Sequence, residues 1–259
     1  MDFLFTPEAI SSLLTLTFLE IILGIDNVVF ISIVVGKLPK ENQRRATNIG
    51  LLLALVLRIA LLFAISWLIA MQSTLFKVSN AVVHAAVNGQ SLILFAGGLF
   101  LLYKSTKEIH EKIDHAGEKK EKAGNNAANT MGKILLQIIL IDAVFSVDSI
   151  LTAVGMTNGI DGALWIMIIA VVISILAMML FAHPVTRFVH QHPSLQILAL
   201  SFLILIGFML IAEGAHLSHL EVLGTSVGAI PKGYLYFAIA FSLLVEFLNM
   251  RFRKKKAKI

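Results

Sequence analysis

The sequence predicts an all-α polytopic membrane protein with seven transmembrane helices, an inverted-topology 3+3 repeat and one C-terminal helix. Three observations predict it. Of 259 residues, 58% are hydrophobic and only 14% are charged, with a mean hydropathy of +0.87; a soluble domain carries about 25% charged residues. Several apolar runs reach the roughly 20 residues needed to span a bilayer, and they are continuous rather than alternating, which argues against a β-barrel. Finally, one acidic pattern occurs twice inside such runs, as Glu20, Asp26 and Asn27 and again as Asp142, Asp148 and Ser149.

Helix 1 is expected from about Ile10 to Val35, where Gly36, Lys37 and Pro39 end it. A short loop with Lys37, Lys40, Arg44 and Arg45 leads to helix 2, about Thr47 to Ala70, which holds Arg58. Met71 to Gln90 reads as a polar stretch. Helix 3 starts near Val87; its strictly apolar part, Leu92 to Tyr103, is short, so it continues past Lys104. Lys107 to His115 is compatible with helix, and Gly117 to Thr130 reads as a flexible linker. Helix 4 spans about Ile134 to Val154 and helix 5 about Ala163 to Phe181. A loop from His183-Pro184 to His192-Pro193 precedes helix 6, about Leu195 to Ala212, which ends at Glu213-Gly214. Helix 7 covers about Tyr234 to Met250. The organisation is one transmembrane domain over 1–250, with repeat one at 10–105, repeat two at 132–214, helix seven at 234–250, a cytoplasmic linker at 106–131 and a basic tail at 251–259.

Charge sets the orientation, because cytoplasmic loops gather Lys and Arg. Of the 21 Lys and Arg, all but Arg58, Lys77 and Lys232 fall on one side of this seven-helix scheme. The N-terminus is then outside and the C-terminus cytoplasmic. The net charge of +5 is this loop bias and not a sign of nucleic-acid binding. Met1 to Phe5 lacks the basic region of a signal peptide, so helix 1 is expected to remain. The absence of Cys excludes disulfides, thiolate metal sites and cysteine nucleophiles. No phosphate-binding glycine loop is present, and no enzymatic activity is expected.

The second anchor of the repeat lies in its third helices, where Gly98 precedes Lys104 by six residues and Gly207 precedes Glu213 by six. A three-helix unit repeated in sequence inverts its orientation, the plan of many transporters with midplane sites. Carboxylates in a bilayer centre cost about 2.5–3.5 kcal/mol each on insertion scales. Six residues turn a helix by about 240° and raise it by about 9 Å, so Glu20 and Asp26 do not grip one ion from a regular helix. Glu20 and Asn27, seven apart, lie nearly on one face. Either helices 1 and 4 pair so that Glu20 meets Asp148 and Asp26 meets Asp142, or helix 1 unwinds at Gly24.

Glu20, Asp26, Asn27, Asp142, Asp148 and Ser149 form an all-oxygen set that suits hard divalent cations, Mg²⁺, Ca²⁺ or Mn²⁺. Clustered carboxylates in a low dielectric cannot all stay ionised without a cation, so metal release implies proton uptake. The structural alternative for each acid is a partner in Arg58 or the backbone. Arg58 either balances one carboxylate in the ion-free state or snorkels to an interface. Glu246 is expected to pair with Arg251 at the interface, and Glu213 to face water. The histidines of His110–His115 are five apart, not the four of a zinc-protease helix, and His183, His190 and His192 read as ordinary loop residues.

Glu20-x-x-Leu23-Gly24-Ile25-Asp26-Asn27, Phe145-Ser146-Val147-Asp148-Ser149 and Gly97-Gly98-Leu99-Phe100-Leu101-Leu102-Tyr103-Lys104 resemble motifs of the TerC family of integral membrane proteins. The resemblance runs from about Leu13 to Met250, and the short tail is similar to the minimal bacterial inner-membrane form. The family is similar to a wider LysE-like exporter superfamily. Its members are linked to manganese export, to tellurite resistance or to protein insertion in thylakoids. The resemblance implies export of a divalent metal, manganese first, with the six residues above as metal positions. A membrane-assembly scaffold and an exporter of a small organic solute are the alternatives. No cofactor is expected, the metal being substrate. The expected partners are the lipid bilayer and the cation, with no nucleic acid; a homo-oligomer is left open.

Overall fold

The computed structural model describes residues 6–64, 67, 69, 71–80, 82–114, 127–157 and 159–256, the side chains at 25, 26, 127–129 and 253–256 excepted. In chain order its elements are α1 (Pro7–Val35), α2 (Lys40–Phe63), β1 (Thr74–Ser79), β2 (Val83–Asn88), α3 (Gly89–Asp114), α4 (Ala127–Thr157), α5 (Ala163–Gln191), α6 (Pro193–Leu217), β3 (Glu221–Val222), β4 (Thr225–Ser226) and α7 (Lys232–Lys256). Among the described residues, six helices are long and apolar enough to cross a membrane: α1, α2, α4, α5, α6 and α7. The expected seventh, α3, has 26 residues but joins its apolar half to Lys104, Lys107, Glu108, Glu111, Lys112 and Asp114 in one continuous helix.

The chain divides into two compact units, Met1–Ser73 with Glu118–Gln191 and Thr74–Gly117 with His192–Ile259. In the first unit, α1 starts on a standard signal: Thr6 Oγ1 accepts a hydrogen bond from the Ala9 amide at 3.2 Å, and Pro7 opens the first turn. The helix continues without a break through Gly24, so unwinding there is not how the site is built. α2 begins at Lys40, directly after Pro39, and not at Thr47, which places Lys40, Arg44 and Arg45 in its first turns. It ends at Phe63; residues 65, 66, 68 and 70 of the expected extension lie outside the described residues. So do Met1–Phe5 and most of the linker, 115–126.

α1 packs along α5, and α2 along α4. Gly24 meets Met178, Ser32 meets Thr186 and Gly36 meets His190, so α1 and α5 run in the same sense with a constant offset of 154 residues. Gly50 meets Ile138 and Arg58 meets Asp142, so α2 and α4 also run in the same sense. α5 passes through Pro184 to Gln191, where a loop was expected. Membrane helices tolerate an internal proline because neighbouring groups satisfy the freed backbone. The break is reduced to His192, held extended (φ −128°, ψ 88°) by Pro193, the first residue of α6.

In the second unit, α3 and α6 are antiparallel: Asn88 Nδ2 donates to the Leu217 carbonyl at 2.9 Å, and Lys112 at the other end binds Gln196. They cross at glycines. A Cβ on Gly98 would lie 2.6 Å from the Gly207 carbonyl oxygen, and one on Gly207 would lie 3.0 Å from that of Gly98. Small residues allow this approach in membranes. The stretch read as polar, Met71 to Gln90, forms the β1–β2 hairpin of a four-stranded antiparallel sheet, ordered β1-β2-β3-β4. Leu223 and Gly224, both at positive φ, make the two-residue turn between β3 and β4. α6 runs past Glu213 to Leu217, so Glu213 is half-buried inside a helix and does not end it. α7 continues through the basic residues to Lys256, so most of the expected tail is helix. Its Phe237, Phe241, Phe247 and Leu248 are exposed, as are Phe18, Val56 and Leu180 of the first unit, the dress of helices that face lipid.

Candidate functional site: an arginine bridging two carboxylates

The first unit places Glu20 on α1, Arg58 on α2 and Asp142 on α4, all buried; Arg58 is 2% exposed. The Arg58 guanidinium donates from Nη1 to Glu20 Oε2. On its other side it grips Asp142 with two bonds, Nη2 to Oδ1 at 2.7 Å and Nε to Oδ2 at 3.2 Å. Such a two-pronged grip matches the planar fork of Arg to the plane of a carboxylate. Asp142 accepts further bonds from Ser146 Oγ at 3.1 Å and, at the long limit of 3.4 Å, from Asn27 Nδ2. Asn27 Oδ1 is buried and has no hydrogen-bond partner among the described residues. Asn27, Arg58, Asp142 and Met178 help to line a cavity of about 10 Å³, about the least that holds one water.

Helical spacing explains the convergence. Glu20, Gly24 and Asn27 stand at i, i+4 and i+7 on α1, and Asp142, Ser146 and Ser149 repeat that spacing on α4. Each triplet lies along one face. Asp26 and Asp148 sit six residues after the first acid of each set, turned about 240° away on a regular helix. The pairing of Glu20 with Asp148 is therefore corrected: Glu20 and Asp142, the two first acids, share Arg58. The side chain of Asp26 lies outside the described residues. Asp148 is half-buried, and its carbonyl accepts from Thr152 Oγ1 at 3.0 Å. Ser149 is buried and donates to the Ser146 carbonyl at 3.4 Å. Among the described residues, no three of the His, Asp and Glu side chains are grouped to hold a metal.

Arg58 does not snorkel; it is the hub of the network. Glu246 does not pair with Arg251 among the described residues but accepts from Ser194 Oγ at 2.5 Å, joining α7 to α6. His190 belongs to α5, where Nε2 donates to the Ser32 carbonyl at 2.9 Å while Ser32 Oγ and Thr186 Oγ1 lie 2.7 Å apart. These polar groups extend the α1–α5 seam beyond Asn27; no pattern in the sequence marks them, because the α1–α5 register is visible only in the packed helices. His110 forms an exposed pair with Asp114 at 3.0 Å; His115 lies outside the described residues.

Comparison with known proteins agrees with a membrane architecture. The profile of the family described as "Integral membrane protein TerC family" matches residues 5–258. A Haemophilus influenzae protein, "UPF0053 protein", is 44% identical over 248 residues, covering 96% of both chains. The Escherichia coli K12 "UPF0053 inner membrane protein YgdQ" is 44% identical over 249 residues, 96% of this chain and 95% of that one. "UPF0053 inner membrane protein YoaE" of the same strain is 42% identical over 254 residues, but the match covers 45% of its length. No solved structure matches the chain.

Proposed function

The chain belongs to the TerC family of integral membrane proteins, and from that premise we propose that it is a multi-pass inner-membrane carrier, not an enzyme, that exports a divalent metal ion, manganese first. The observation that carries this reading is Arg58 bridging Glu20 and Asp142 between helices that qualify as membrane spans. Ionisable residues inside a membrane are expensive and mark ion pathways. A buried ion pair adds little stability over well-packed apolar residues, so stability alone does not account for three such groups. Arg58 acts as a tethered stand-in for the cation, holding the carboxylates together when no metal is bound.

Charge arithmetic supports exchange with protons. Two carboxylates and one guanidinium leave one net negative charge. With a divalent ion bound, the two carboxylates, the displaced but still charged Arg58 and the ion sum to +1; release of the ion with uptake of one proton leaves the three groups neutral, an exchange that moves one net positive charge. The helix pairings support the 3+3 repeat. Exchange of the halves maps α1 on α5 onto α4 on α2, and brings matched Gly98 and Gly207 together. Alternating passages also give the observed senses: α1 with α5 and α2 with α4 the same, α3 with α6 opposed. The N-out, C-in orientation follows from the charge bias.

Purified protein in vesicles tests the reading. Saturable manganese uptake is expected for wild type and absent for Glu20→Gln and Asp142→Asn at equal insertion. The second reading, an assembly scaffold, draws on Arg58 already occupying both carboxylates; it predicts that the folded wild type moves no divalent ion.

A further inference from the structure

We propose that Met178 is the specificity-determining residue of this site, its thioether acting as a soft donor that favours a transition-metal ion over Mg²⁺ and Ca²⁺. The inference rests on the transport reading above. Gly24 stands on the α1 face between Glu20 and Asn27, four residues after the first and three before the second. A Cβ built on Gly24 would lie 2.2 Å from Met178 Sδ and 2.9 Å from Cε. The thioether therefore occupies the place that a side chain at position 24 would take, between a carboxylate and an amide. Met178 is buried and lines the same cavity as Asn27 and Asp142.

Asn27 provides the second sign of a ligand position. Its Oδ1 is buried, in a residue that is 5% exposed, and it receives no hydrogen bond among the described residues. A buried acceptor without a donor is costly, and a cation in the cavity would satisfy it. The donor set is then carboxylate oxygen, amide oxygen and thioether sulfur. Mg²⁺ and Ca²⁺ are hard ions that take oxygen ligands and gain nothing by exchanging water for sulfur. Mn²⁺ also suits oxygen ligands, but as a transition-metal ion it keeps more affinity for a polarizable sulfur than Mg²⁺ or Ca²⁺ does, and the softer Zn²⁺ keeps more still. A leucine would fill the groove over Gly24 equally well in volume, so the sulfur carries the chemical distinction.

The test is manganese uptake into vesicles holding wild type or Met178→Leu, alone and against excess Mg²⁺ or Ca²⁺. Gly24→Ala serves as a second variant, because its methyl displaces only the flexible end of Met178 and moves the sulfur while keeping the residue. Gly24→Ala, which leaves every donor residue in place, is expected to transport manganese without competitor, and Met178→Leu to do so only with a raised KM. Their preference for manganese over Mg²⁺ should fall by about tenfold, the lower end of effects at residues that tune metal sites. Transport with an unchanged preference in both variants would make Met178 a packing residue and overturn this inference alone. No divalent-ion uptake by folded wild type would overturn the transport reading and this inference with it.

Discussion

Arg58 makes the charged contacts of the site, to Glu20 and to Asp142, and removing it leaves two buried carboxylates without their counter-charge. Arg58→Leu is expected to lower stability by about 3–5 kcal/mol, the scale for breaking a buried pair from one side. Thermal unfolding in detergent measures this. Replacing Arg58, Glu20 and Asp142 together by leucine should recover most of the loss and still abolish uptake. Glu20, Asn27, Asp142 and Ser149 were legible as polar groups because they stand out in apolar runs, whereas the place of Arg58 was not: the sequence left it between balancing a carboxylate and snorkelling to an interface. Which acid met which was not legible either, since sequence spacing gives faces of a helix but not the rotation of one helix against another. Met178 carried no signal at all: among nine methionines in an apolar chain, only the neighbouring Gly24 distinguishes it.

At the scale of elements, the tightest crossing joins α3 and α6. Gly98→Ala pushes a methyl toward the Gly207 carbonyl oxygen, 2.6 Å from the built Cβ. A loss of about 1–3 kcal/mol, the usual cost of overpacking, is expected, and Gly98→Leu should abolish folded yield on size-exclusion chromatography. The long apolar helices were legible from hydropathy. α5 was cut short because Pro184 and flanking histidines read as a loop, whereas in a membrane bundle the helix carries them through to Gln191. The β1–β2 hairpin was missed for another reason: its strands have six residues each and mix exposed Leu75, Phe76 and Val78 with Lys77, so no alternation marks an inward face.

For the whole molecule, orientation is the open consequence of the charge bias. The chain has no Cys, so single cysteines report position without background. Lys77→Cys should react with an impermeant maleimide in intact cells, and Lys40→Cys only after the membrane is opened; the reverse pattern would invert the topology. Two acidic patterns were legible in the sequence; in one compact unit Glu20 and Asp142 share Arg58, and in the other Gly98 faces Gly207. The central claim is that a divalent cation competes with Arg58 for Glu20 and Asp142. The most direct test is Mn²⁺ binding to purified protein, read from the electron paramagnetic resonance of the free ion. The account predicts loss of binding in Glu20→Gln and Asp142→Asn, and tighter binding in Arg58→Gln, which removes the competitor. Binding that is equal in all four proteins, or absent from wild type and Arg58→Gln alike, would contradict it.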